Sequence, residues 1–416
     1  MSRIRIKNFG PIKEGLKEND GWIDIRKVTL FIGNQGSGKS TVAKLISIFS
    51  WIEKDLTKEV HDIKHFENPK RFRKNYCGYH RIENYFSDMD GIDRTEIDYE
   101  GESFHIKYHP KKLEITPVSN RKYLLPQIMY VPAERNFISS VKISKFLNLF
   151  PGSLIEFTAE FDNAKNAIKG GLQIPINEAT VEYDKLNDIV NIKGTDYKVR
   201  LSETSSGFQS AVPLFIVSRY LATTIKKNSD ENSVRMSIDE MKRFKHEIQV
   251  IFGNNSFTEE QKRAALSVLA SKINKAAFIN IVEEPEQNLY PDSQKDILYS
   301  LLEHANMNKG NKLIMTTHSP YIINFLSLAI QGHYLYEKIR NSIQFQGLSA
   351  KLNTVVPLNS LIDGDDVIVY QLLESNGTIK ILPTFEGIPS DKNLLNQSLA
   401  DGNDYFDSLL EIEQSL

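Results

Sequence analysis

The chain of 416 residues holds one cysteine, Cys77, which excludes an intrachain disulfide framework. It has no apolar run approaching the roughly 18 to 20 residues of a membrane-spanning helix; stretches such as "FINIV" and "LFIV" have the length of buried strands or helix faces. Net charge is nearly absent, 51 basic residues standing against 53 acidic ones. A global electrostatic attraction to nucleic acid or to an anionic membrane is thereby excluded, and any such binding must be local. Internal repeats, low-complexity tracts and heptad runs long enough for an extended coiled coil are also missing. The start "MSRIRIKNFG" alternates charge with apolar residues where a signal peptide needs an unbroken apolar core. The expectation is a cytoplasmic protein without a membrane partner, long enough for about two or three compact units.

What is present begins with "GNQGSGKST", Gly33 to Thr41. It fits Gly-x4-Gly-Lys-Ser, the spacing in which small residues let successive backbone N–H groups converge on phosphate oxygens. The preceding "KVTLFIG" is β-branched and apolar like a buried strand, and "STVAKLISIFSWIEKDL" after it has apolar residues at helical spacing. Asn34, Gln35, Gly36, Ser37, Gly38, Lys39, Ser40 and Thr41 are therefore candidate nucleotide-binding residues. In such a loop Lys39 bridges the β- and γ-phosphates and Ser40 offers its hydroxyl to Mg²⁺, with the helix N-terminus adding partial positive charge.

About 250 positions later "FINIVEEPEQNLYP" carries a buried strand into Glu283 and Glu284. Ligands of open α/β sheets bind at the carboxyl ends of strands, and adjacent residues of a strand point to opposite faces, so the two acids must differ in role. Glu283 is the candidate Mg²⁺ ligand, directly or through water, and Glu284 the candidate catalytic group that orients the attacking water. Another apolar strand, "KLIMTTHSPYIINFL", ends in Thr316, Thr317, His318 and Ser319; His318 is expected beside the γ-phosphate. "SSGFQS", Ser205 to Ser210, precedes an apolar helix and has the N–H groups of an anion site. Since the chain already has one phosphate loop, this second site implies a second subunit, with Ser206, Gly207 and Gln209 acting in trans.

The alternation of strands and helices predicts an α/β fold: a lobe at 1–51 with the phosphate loop, an inserted region at 52–200, a second lobe at 201–330, and an α+β region at 331–416. From Ile52 to Arg81 the text is helical and basic. "RTEIDYEGESFHIKYHPKKLEITPV" reads as antiparallel strands, and roughly Asn228 to Asn274 as a polar helical segment.

In order, "GNQGSGKST", "SSGFQS", "NIVEEPEQNLYP" and "TTHSPYIIN" resemble the Walker A, signature, Walker B and histidine-switch motifs of ABC-type ATPases, most of all the branch of the overcoming-lysogenization-defect (OLD), RecF and SMC-like proteins. The likeness runs from about Arg3 to Leu326. It implies an ABC-type P-loop core, ATP and Mg²⁺ as cofactors, and a homo-oligomer with ATP between paired subunits, Ser206 and Gly207 of one capping the phosphate held by Lys39 of the other. Glu283 stands where many relatives have Asp, and Phe208 replaces the second glycine of the common signature. For the Q-loop position Gln127 and the segment "VPAERN", with Arg135 contacting phosphate or a neighbouring subunit, are alternatives. At the level of the whole chain, "MSRIRIKNFGPIKEG", the compact insertion and the size resemble the ATPase subunits of PARIS, a two-component bacterial anti-phage system. That resemblance implies a scaffold holding a separate Toprim nuclease effector, released on recognition of a phage anti-restriction protein, an acidic or DNA-mimicking trigger being one possibility. A RecF/SMC-like DNA-repair or DNA-structure ATPase is the alternative.

Three further signals are weaker. His61, His65, Cys77 and His80 have spacing open to a zinc reading, with His61 and His65 on one helix face, though paired-Cys spacing is missing. The same stretch interleaves Phe66, Phe72, Tyr76 and Tyr79 with basic residues, compatible with nucleic acid, an acidic partner or a solvated face over an aromatic core. Asp363 and Asp365 imitate a metal-binding Asp-x-Asp but lack an upstream glutamate motif, and about 98 residues follow His318; a turn with solvated acids, and no nuclease site, is expected. No Asn/Thr-Lys-x-Asp motif is present, which favours ATP over GTP.

Overall fold

The computed structural model describes residues 2–58, 60–89, 92–110, 112–118, 123–140, 150–230, 261–262 and 276–415. The polar helical segment expected at 228–274 lies almost wholly outside them. In chain order the principal elements are β1 (Arg3–Lys7), β2 (Gly15–Leu16), β3 (Ile23–Asp24), β4 (Val28–Gly33), α1 (Lys39–Thr57), β5 (Glu96–Glu100), β6 (Phe104–His109), β7 (Lys112–Pro117) and β8 (Pro126–Val131). Next come α2 (Gly152–Ala167), β9 (Gly171–Gln173), β10 (Thr180–Asp184), β11 (Ile189–Lys193), β12 (Lys198–Arg200), α3 (Ser206–Asp230), β13 (Ala277–Glu283) and α4 (Pro291–Asn306). The chain closes with β14 (Lys312–Thr317), α5 (Pro320–Ile339), α6 (Phe345–Val355), β15 (Val367–Leu373), β16 (Thr378–Ile381) and α7 (Leu394–Gln414).

Every residue of β4 is buried, the pattern of a parallel strand covered on both faces. It lies inside a mixed sheet ordered β8-β13-β14-β4-β15-β16-β2, whose first five strands run parallel. Alternate side chains divide between two cores. Phe31, Tyr130, Ile281, Ile314 and Tyr370 face α1 and the antiparallel sheet β3-β1-β5-β6-β7. Leu30, Ile32, Val131, Val282 and Met315 face the other core, with α2, α3, α4 and α5. The insertion after residue 137 contributes α2 and the small antiparallel sheet β9-β10-β11-β12.

The α+β region expected at 331–416 supplies strands to this core sheet. β15 pairs in parallel with β4, Val28 opposite Val367 through Gly33 opposite Leu372. Val367, Ile368, Val369, Tyr370 and Leu372 are all buried, and at roughly 1.5 to 3 kcal/mol for each large apolar side chain they bind the segment firmly to the strand of the phosphate loop. The carboxyl ends of β13, β14 and β4 lie side by side, so Glu283, Thr317 and Gly33 arrive at one edge of the sheet.

Candidate functional site

Gly33, Gly36 and Gly38 have φ of 148°, 75° and 99°, values that favour glycine. Gly33 is further constrained because a Cβ there would lie 2.5 Å from the Leu372 carbonyl oxygen, whereas nothing stands within 4 Å of a Cβ built at Gly36. The loop is thus open on the side where a phosphate would enter. Lys39, which is buried, donates from Nζ to the carbonyls of Gly33 and Asn34, both at 2.7 Å. Burial lowers its pKa to about 8 against the opposing pull of Glu284 and Glu286. The Ser37 hydroxyl is buried without a hydrogen-bond partner among the described residues. A buried ammonium, an unpartnered hydroxyl and an open glycine turn fit a polyphosphate chemically.

Glu284 leaves the strand in a left-handed conformation, φ 45°, uncommon for a residue with a side chain. Its Oε1 lies 3.0 Å from His318 Nε2, and His318 Nδ1 lies 3.1 Å from the Gly33 carbonyl and 3.3 Å from Lys39 Nζ. The imidazole thus bridges the Glu284 carboxylate on one side and the Gly33 carbonyl with the Lys39 ammonium on the other, so the three side chains form a continuous chain. The hydrogen bond from His318, followed by the opposing effect of burial, leaves the Glu284 pKa lowered. Glu284 is held as an anion facing the phosphate loop.

A residue the sequence argument passed over sits behind this pair. Glu286 accepts at Oε1 from the Thr317 hydroxyl at 2.8 Å and from the His318 backbone N–H at 2.7 Å. Its Oε2 is buried without a partner, and burial raises its pKa. The third carboxylate of "EEPE" is a visible signal, but nothing local reveals that the turn after Pro285 folds it back onto β14.

Glu283 points to the α1 side, as strand alternation requires. Its carboxylate accepts from the Tyr130 hydroxyl at 2.5 Å and from Ala133 N–H at 3.0 Å; burial and then the charge of Glu283 push the Tyr130 pKa well up. Among the described residues no hydrogen bond joins Ser40 to Glu283. Glu283 is thus engaged on both oxygens, an arrangement that suits an acid acting on a metal through water rather than directly.

Arg135, an alternative for a phosphate contact, is fully buried and spent on backbone. It donates to the carbonyls of Glu283 and Glu284, each at 2.6 Å, and to those of Pro132 and Ser210 at 3.2 Å. Burial lowers its pKa to about 10. Arg135 ties the acidic turn to α3 and does not reach the phosphate loop, so the expectation of a phosphate or neighbour contact is corrected. Replacing it with methionine leaves several carbonyls unpaired and is expected to cost about 3 kcal/mol or more; a melting temperature equal to that of the wild type would contradict this role. Gln127 is also displaced from the site. It pairs in register with Phe278, near the start of β13, while the acids lie at the end.

Ser206 opens α3 and is exposed. Gly207 is buried, and a Cβ there would meet the Asn288 carbonyl at 2.7 Å, so glycine is needed where the helix start crosses the acidic turn. Gln209 does not project freely: its amide donates to the carbonyls of Ser202 and Thr204 at 3.2 and 2.8 Å. Ser210 donates to Gln287 Oε1 at 2.8 Å, a second link between α3 and the turn.

The histidine stretch is a packed structure. The helix there covers only Ile63–Phe66, so His61 precedes it and the two histidines do not share a helix face, although their rings stack at 4.0 Å. His61 bonds Asp55 at 3.0 Å, and burial lowers the His65 pKa to about 4. Among the described residues no group of three or more His, Cys, Asp or Glu is arranged to hold a metal. Phe66, Phe72, Tyr76 and Tyr79 are buried and offer no stacking platform. Asp363 caps its own turn, accepting from Asp365 N–H at 3.0 Å. No helix among the described residues is long and apolar enough to cross a membrane.

A family model described as an AAA ATPase domain matches residues 1–122 and 250–323. The fold is α/β, a mixed sheet with helices packed on its faces. No match was found among curated proteins. Among solved structures, the chain is similar to the SMC head domain from Thermotoga maritima (12% identity, covering 92% of this chain and 98% of that one, TM-score 0.33). It is also similar to the Smc head domain with an extended coiled coil bound to the C-terminal domain of ScpA derived from Pyrococcus furiosus (10%, 92% and 96%, 0.34). A third is a nucleotide-free ATP-binding cassette from an ABC transporter (13%, 93% and 94%, 0.29).

Proposed function

We propose that the protein is a Mg²⁺-dependent ATPase whose composite site forms between two copies. The observation that carries this reading is the Glu284–His318–Lys39 chain at the open side of a glycine loop. Lys39 and the loop N–H groups hold the phosphates, and Ser37 adds a donor that is otherwise unpaired. Mg²⁺, when bound, would offset phosphate charge; Ser40 and, through water, Glu283 are the residues that would hold it. Glu284 orients the attacking water, and His318 fixes the rotamer of that carboxylate while contacting the Lys39 ammonium. Glu286 positions His318 by anchoring its backbone.

The exposed helix start at Ser206 supports a contribution in trans. Mixing Lys39→Ala chains with Ser206→Arg chains is expected to restore part of the ATPase activity that each lacks alone, because some composite sites receive both intact halves. A mixed oligomer, shown by mass to contain both chains, that stays inactive would count against a shared site.

The resemblance in motif order, opening segment and size supports a finer reading: a sensor and scaffold subunit of a two-component anti-phage system, restraining a separate Toprim nuclease until a phage anti-restriction protein is met. The purified protein, free of partners by mass spectrometry, is expected to hydrolyse ATP without cleaving DNA or RNA. Cleavage that is lost in Asp363→Ala/Asp365→Ala would overturn the separate effector. Stimulation of hydrolysis by DNA alone would instead favour a RecF/SMC-like role.

A further inference from the structure

α7 is a helix of 21 residues, about 32 Å long at 1.5 Å per residue. Its start is fixed to the core: Asn393 caps Leu395 and Asn396, Leu394 N–H donates to Gln371 Oε1 at 3.0 Å, and Leu395 is buried. Beyond that turn Leu399, Tyr405, Phe406, Leu409, Leu410 and Ile412 are exposed. These are not scattered. Leu395, Leu399, Gly402, Phe406 and Leu409 follow the alternating four-three spacing of a helix–helix seam, with Tyr405, Leu410 and Ile412 widening it on both sides. Asp401, Asp404, Asp407 and Glu411 fall away from that seam, Glu413 continues it at its C-terminal end, and the helix has no basic residue.

We propose that α7 is a self-association element, its apolar seam covered by the same helix of a second copy. The surface is self-complementary: the seam is uncharged from Leu395 to Leu409, Asp401, Asp404, Asp407 and Glu411 stay on the outer faces, and Gly402 lets two backbones approach. The exposed apolar side chains amount to roughly 600 to 700 Å², close to the about 800 Å² per partner of a standard interface. This pairing is separate from the nucleotide site and does not depend on the reading of that site.

Full-length protein carrying Lys39→Ala, free of nucleotide, is expected to show two or more copies by native mass spectrometry and light scattering at micromolar concentration. Phe406→Asp/Leu409→Asp should reduce it to single chains while leaving the melting temperature within a few degrees, since both positions are exposed. Phe406→Cys, near the middle of the helix, should form an interchain disulfide under mild oxidation whether the helices run parallel or antiparallel; the one native cysteine, Cys77, is buried. Because both partners are acidic, added salt should preserve or strengthen the association. A second occupant makes a different forecast. The segment 338–362 carries Lys338, Arg340 and Lys351 without an acid, and Ile343 and Val355 are exposed there. Docking of α7 on that face would weaken with salt and be disrupted by Ile343→Glu. That outcome, a single-chain mass for the parent protein, or an assembly unchanged by Phe406→Asp/Leu409→Asp would each overturn the proposal.

Discussion

Lys39→Ala is expected to weaken ATP binding at least 100-fold in calorimetry with Mg²⁺, and to abolish turnover with it. Among the described residues the ammonium is the one cation hydrogen-bonded within the loop, held by the carbonyls of Gly33 and Asn34, and a buried phosphate site without it relies on backbone N–H donors and the Ser37 hydroxyl. Burial has already lowered its pKa to about 8, which gives the prediction a pH signature. Phosphate binding favours the charged ammonium, so above pH 8 the free site must take up a proton when ATP binds. Affinity should therefore hold steady below that pH and fall as pH rises through it, approaching tenfold per unit. In Lys39→Ala this dependence should disappear. Equal affinity in mutant and wild type would sink the phosphate-loop assignment.

The parts of this site that sequence made legible are those where local pattern and function coincide. β4, β13 and β14 are continuous apolar runs ended by glycine, paired acids or a Thr-Thr-His sequence, so both the strands and the side chains they deliver could be placed. The partners across the sheet were not legible. β15 lies more than 300 residues from β4 in sequence, and nothing local distinguishes a strand that pairs with the phosphate-loop strand from one in a peripheral unit. Arg135 shows the same gap for a side chain. A basic residue near a phosphate site invites a phosphate contact, yet its surroundings are carbonyls supplied by residues from three separate segments, visible only after folding. The positive φ of Glu284 is equally hidden, because proline after glutamate does not by itself demand a left-handed turn. Glu286 was overlooked because a third acid reads as solvated until β14 is packed against it.

Glu284→Gln is expected to retain ATP binding, to lower kcat by a factor of about 10² to 10³, and to accumulate a closed assembly of paired subunits on ATP. Glutamine keeps the volume and can still accept from His318 Nε2, so the Glu284–His318–Lys39 arrangement survives. What it loses is the anion. The lowered pKa of Glu284, due first to the His318 hydrogen bond, shows that the fold sustains that charge beside the loop, and an amide cannot draw a proton toward itself as water attacks. Glu283→Gln should behave differently. Its carboxylate is held by the Tyr130 hydroxyl and Ala133 N–H, and the loss should appear as weaker Mg²⁺ dependence, seen in the metal concentration needed for half-maximal activity. Single-turnover measurements with excess enzyme would separate the two, since Glu284→Gln slows the chemical step at saturating Mg²⁺ while added Mg²⁺ partly restores Glu283→Gln. If Glu284→Gln instead removes the metal dependence and Glu283→Gln leaves it intact, the assignments of the two acids are reversed.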